Sequence, residues 1–111
     1  MSDCPFCKRI AAGEYDDELS LPGTVAVFEP LNPVTRGHLL AVPFRHVRDA
    51  AAEAVVTAVV MEHVARLLDN FGIQANIITS IGPDATQTVF HLHVHIVPRR
   101  EGDGLRLPWT P

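Results

Sequence analysis

The chain has 111 residues, of which 47% are hydrophobic, and carries a formal net charge of -4. That length supports one hydrophobic core rather than two, and that apolar content excludes a disordered chain. The acidic balance argues against broad nucleic-acid or membrane binding, and no apolar run nears the roughly 20 residues that span a bilayer.

The opening Met1-Ser2-Asp3-Cys4 has no basic region followed by an apolar stretch, so no export signal is expected, and the compartment expected is a reducing cytoplasm. Cys4 to Gly13 reads as a compact N-terminal knuckle. Val25 to Phe28 is a short apolar strand, and Glu29-Pro30-Leu31-Asn32-Pro33 is rich in turn residues. Leu39 to Val42 reads as a second strand, introduced by Gly37-His38 and stopped by Pro43.

From Asp49 to Phe71 the pattern becomes helical. Val56, Val60, Val64, Leu67, Leu68 and Phe71 recur at spacings of three and four and form one apolar stripe. Asp49 is the expected N-cap, and Gly72 is the expected stop. Ala75 to Ile81 and Thr88 to Val97 follow as strands, joined by Gly82-Pro83-Asp84-Ala85-Thr86, a loop short enough for an antiparallel pair. These elements predict an α+β fold: a small, mostly antiparallel sheet of about five strands carrying one long helix over about 49–71.

The run His91-Leu92-His93-Val94-His95-Ile96-Val97 holds three of the six histidines. On an extended chain His91, His93 and His95 line one face, while Leu92, Val94 and Ile96 line the other. Three imidazoles in a row can bind a metal, donate to phosphate, or set a nucleophile between two helpers. His63 lies within the helix and reads as an ordinary helix histidine.

Cys4-Pro5-Phe6-Cys7 has the two-residue gap that lets two thiolates reach one zinc ion. A redox pair normally follows a strand and opens a long helix, which this one does not. Two more ligands are needed, and His38, His46, His63, His91, His93 and His95 are on offer.

The histidine run resembles the His-φ-His-φ-His-φ-φ signature of the histidine triad (HIT) family, where φ is hydrophobic. Asn32 to Pro43 resembles that family's turn, Gly-His and following strand. Gln87-Thr88-Val89-Phe90 resembles its lead into the triad, and Cys4-x-x-Cys7 resembles its zinc-binding branch. The similarity runs in order from about Cys4 to Arg100, so residues 1–111 are expected to form a single HIT domain with a short tail from about 101 to 111.

The resemblance implies a nucleotide-binding hydrolase or nucleotidyl transferase acting at an α-phosphorus, with a purine nucleotide or nucleotide conjugate as substrate. The covalent nucleotidyl intermediate would form on His93. His95 would bond a phosphate oxygen and assist the leaving group, and His38 would support the histidine cluster. Gln87, Thr88, His95, Glu29 and Ser80 would contact the nucleotide. Cys4, Cys7, His46 and His91 would complete a structural zinc site. A homodimer paired through the long helix and an adjacent strand is also implied, and Trp109 would reach the partner's site or pack within its own chain.

Three positions depart from the family pattern. Pro30 stands where relatives carry the Asp that grips the ribose, leaving Glu29 to substitute. Ser80 replaces an Asn, and Thr86 replaces a Gly ahead of the phosphate contacts. These departures keep a second reading open, a nucleotide-binding regulatory module with little turnover. A third is a metal-dependent hydrolase built on the His91-x-His93 pair.

Overall fold

The structure, a computed structural model, describes residues 3–111. Cys4 caps a short helix α1 (Pro5–Ala11): its backbone is extended and its Sγ accepts from the Cys7 N–H at 3.3 Å. Pro5 occupies the first helical turn, where a missing N–H costs nothing. Strands β1 (Val25–Phe28) and β2 (Leu39–Pro43) follow, then helix α2 (Ala54–Phe71), strand β3 (Ala75–Ile78) and strand β4 (Val94–Pro98).

The strands form one sheet in the order β1-β2-β4-β3, every neighbouring pair antiparallel. It has four strands rather than about five: Leu21 makes an isolated bridge to Val25 and no further strand. Both faces are covered, which is why β1 is buried at every position instead of alternating. On one face Val60, Val64 and Leu67 of α2 pack against Val25, Val27, Ala41, Val94 and Ile96. Burying each of these valines contributes about 1.5 kcal/mol. On the other face Phe6 and Ile10 of α1, with Tyr15 and Phe44, cover Ala26, Phe28, Leu40 and Val42.

Helix α2 begins at Ala54, five residues later than the sequence suggests. Asp49 is not its cap: the buried carboxylate accepts from the Ala51 N–H at 2.9 Å and closes a turn ahead of the helix. The C-terminal end is as expected, with Gly72 in the left-handed region at φ 64°.

Strand β4 is shorter than the predicted Thr88–Val97. Leu92 leaves the sheet, its N–H donating to Val47 O at 2.7 Å. Strand β3 likewise ends at Ile78, where the Thr79 hydroxyl donates to His93 O at 2.8 Å. Only His95 of the three histidines therefore lies in a strand, paired with Leu40 across the sheet. Among the described residues, no helix is long and apolar enough to cross a membrane.

Candidate active site and metal centre

Two sites meet at the start of β4. The first gathers Cys4 and Cys7 from the N-terminal knuckle, His46 from the loop after β2, and His91. The four ligand atoms lie within 4.8 Å of one another. Cys4 Sγ is 3.3 Å from His91 Nδ1, Cys7 Sγ is 3.5 Å from that same nitrogen, and Cys7 Sγ is 3.3 Å from His46 Nδ1. Metal–sulfur bonds of about 2.3 Å and metal–nitrogen bonds of about 2.1 Å at tetrahedral angles give such spacings.

The tautomer of His91 fits the same purpose. Its Nε2 lies 2.9 Å from Pro43 O and must donate there, which leaves the Nδ1 lone pair aimed at the two sulfurs. Burial pushes the Cys7 thiol up, and Cys4 beside it adds to the effect. A cation between them removes that cost, so these four residues can hold a metal ion.

The second site contains the other triad members. His93 Nδ1 lies 2.8 Å from His91 O. A carbonyl only accepts, so Nδ1 carries the proton and Nε2 keeps a free lone pair. The Phe6 ring meets the His93 ring edge-on at 5.0 Å.

His38 is 3% exposed, and its Nδ1 accepts from the Val34 N–H at 3.1 Å. Its proton therefore sits on Nε2, 2.9 Å from His95 Nδ1. Neutral His95 is left with its proton on Nε2. Burial, with smaller contributions from His93 and His38, lowers the His95 pKa to about 4, so the ring stays neutral near pH 7. Burial lowers His38 as well, against the opposing charge of Glu29. Fixed backbone groups thus orient three imidazoles: His93 presents a lone pair, and His95 presents an N–H.

His93, His95 and His38 line a cavity of 690 Å³ together with Phe6, Phe28, Thr88 and Val89. A smaller cavity of 290 Å³ lies beyond His38 and His95, lined by Ser80, Ile78, Leu105 and Arg106. Thr86 borders both at φ 70°, a left-handed conformation that costs a β-branched residue about 1–2 kcal/mol.

Most residues singled out in the sequence come together here, with two exceptions. Gln87 is buried and lines neither of these cavities: its amide donates to Arg48 O and Val89 O and accepts from the Gly82 N–H, so both amide donors are already used. Glu29 is exposed and lines neither cavity, while Pro30 beside it lines the larger one. Phe6, Arg9 and Glu14 are among the cavity residues that the sequence did not mark as part of a site. Trp109 is 77% exposed and lines no cavity. The tail before it is held by Arg99, which bonds Asn76, Asp103 and Leu105 O.

The family model for the HIT domain matches residues 15–102. The chain belongs to the HIT family. Protein hit of Bacillus subtilis is 36% identical over 96% of this chain and 79% of its own length. The adenylylsulfatase HINT3 of Arabidopsis thaliana is 31% identical over 94% of this chain and 56% of its own length. Among solved structures, a hypothetical histidine triad nucleotide-binding protein of Sulfolobus tokodaii superposes with a TM-score of 0.73 at 30% identity. That match covers 89% of this chain and 70% of the other. The α+β fold with an antiparallel sheet is thus the HIT fold; the Cys4–Cys7 knuckle, which packs against His46 and His91, precedes the residues that the family model matches.

Proposed function

We propose that this HIT protein binds a nucleotide, with purine nucleotides or their conjugates as the substrate class. It would cleave a nucleoside monophosphate ester, amidate or anhydride at the α-phosphorus through a nucleotidyl-histidine on His93. The observation that carries the reading is the His93 Nδ1 contact to His91 O at 2.8 Å, which leaves Nε2 as a nucleophile on the wall of the large cavity.

In the first step the Nε2 lone pair attacks the α-phosphorus, forming a P–N bond. The bond to the leaving group breaks, and its electron pair departs with that group, which accepts a hydrogen bond from His95 Nε2–H and takes its proton from solvent water. In the second step water attacks phosphorus and loses a proton to solvent. The P–N bond breaks back to His93, releasing a nucleoside monophosphate. His38 holds the His95 tautomer throughout. Thr88 lines the large cavity and would donate its hydroxyl to phosphate, and Ser80 lines the smaller one and would meet the leaving group.

The metal at Cys4, Cys7, His46 and His91 is proposed to be zinc in a structural role, because four protein ligands fill a tetrahedral ion. His91 and His93 aim at different sites, which counts against a metal-dependent hydrolase built on that pair. A homodimer is proposed on the open edge of β3, where Ile77 and Ile78 are 42% and 38% exposed, and on Val55 of α2 at 78%. Sedimentation at micromolar concentration should then give about twice the chain mass of 12.1 kDa. A cytoplasmic location is consistent with two free thiols in the knuckle.

Incubation with a nucleoside phosphoramidate, followed by rapid quench, should trap an acid-labile, base-stable adduct on His93. His93→Asn should abolish turnover while retaining nucleotide affinity. Undiminished turnover in that variant refutes the mechanism. Nucleotide binding by the wild type with neither turnover nor adduct would instead make it a binding module.

A further inference from the structure

The end of the large cavity away from the histidines carries a cation and an anion that the proposed chemistry does not use. Phe6 lies between the two regions, its ring 5.0 Å from His93 on one side and 5.6 Å from Phe28 on the other. Arg9, one turn further along α1, lays its guanidinium carbon 4.1 Å from the Phe28 ring centroid. Two backbone carbonyls hold it there: Arg9 Nε donates to Glu14 O at 3.3 Å, and one terminal nitrogen donates to Glu29 O at 3.5 Å. Among the described residues its remaining N–H groups have no partner. Glu14 also lines this cavity, is exposed, and makes no ion pair with Arg9 among those residues.

We propose that Arg9 and Glu14 read the edge of the base and select guanine over adenine. This rests on the nucleotide reading above, with phosphate at His93 and the base two rings away, past Phe6 against Phe28. Guanine presents two acceptors, O6 and N7, which suit a guanidinium. It also presents two donors, N1–H and the 2-amino group, which suit a carboxylate. Adenine turns a donor toward the guanidinium and an N1 lone pair toward the carboxylate, so both charged groups lose their partners on burial. Sites that hold such groups discriminate strongly, because the wrong ligand leaves them unpaired. The Arg9 guanidinium is preorganised for such pairing, since stacking and two carbonyl bonds fix its plane before a ligand arrives.

Calorimetric titration of the full-length, metal-loaded protein with GMP, IMP and AMP tests this directly. GMP should bind at least tenfold tighter than AMP. IMP, which keeps O6 and N1–H but lacks the 2-amino group, should fall between them. Glu14→Ala and Arg9→Met should each shrink the GMP-to-AMP ratio toward one. A purely structural role for Arg9, bracing the Glu14 and Glu29 carbonyls, would weaken both nucleotides equally and leave the ratio intact. AMP binding as tightly as GMP, or a ratio unmoved in both variants, overturns the base assignment while the nucleotide reading stands. Failure of all three nucleotides to bind overturns both.

Discussion

Acid should destabilise this protein in part through His95, and the size of the effect follows from its surroundings. The ring is half-buried, with His93 and His38 as its nearest titratable neighbours. Its pKa is 6.5 in an exposed chain and about 4 in the fold. Between those values the unfolded chain binds a proton that the native state refuses, so stability falls as pH falls. Stability from this group is complete above pH 6.5 and fully lost below pH 4. The displacement corresponds to about 3 kcal/mol, nearer 2 once solvent screening of a partly exposed ring is allowed for.

Urea denaturation of wild type and His95→Gln at constant ionic strength, from pH 7.5 to 4, isolates this contribution. Other acid-sensitive groups, including His38 and His91, are common to both proteins. The wild type should lose about 2–3 kcal/mol more than the variant across that range. Parallel curves would refute the reasoning. So would an NMR titration placing the His95 ring near its ordinary value.

Two further perturbations test the framework around the site. Cys4→Ser with Cys7→Ser should abolish stoichiometric metal binding and lower Tm on the order of 10 °C, since a metal held only by the fold adds its binding energy to folding. An unchanged Tm in metal-replete buffer would contradict the site. Gln87→Met should cost about 3 kcal/mol in urea denaturation, because three hydrogen bonds to backbone groups vanish at about 1 kcal/mol each. A loss below about 1 kcal/mol would contradict that bracing role.

Strand β1 and the stripe of α2 were legible because apolar content and helical period are local properties. The start of α2 was not: Asp49 has the chemistry of a cap, and nothing nearby in sequence says that it closes a separate turn. The histidine run predicts a strand from its alternation, yet alternation also describes extended chain outside a sheet. What removes Leu92 from the ladder is a bond to Val47 O, more than forty residues away in the chain. The four residues that could hold a metal ion, and the histidine run, were legible by residue type and family pattern. Arg9 and Glu14 were not, because they reach the cavity only through the docking of α1 on the sheet, which no local pattern encodes. Glu29 is adjacent to the lost ribose position in sequence, yet Pro30 and not Glu29 lines the large cavity.

Phe6 stands between Cys4 and Cys7 and has its ring against His93, which makes the knuckle and the cavity wall a single mechanical part. An ion that fixes the two cysteines also fixes the surface on which a ligand rests. By reciprocity, a ligand pressing on that surface must tighten the ion by the same factor. A chelator would therefore weaken ligand binding without resembling the ligand or entering its cavity, and a bound nucleotide would raise the site's affinity for an ion.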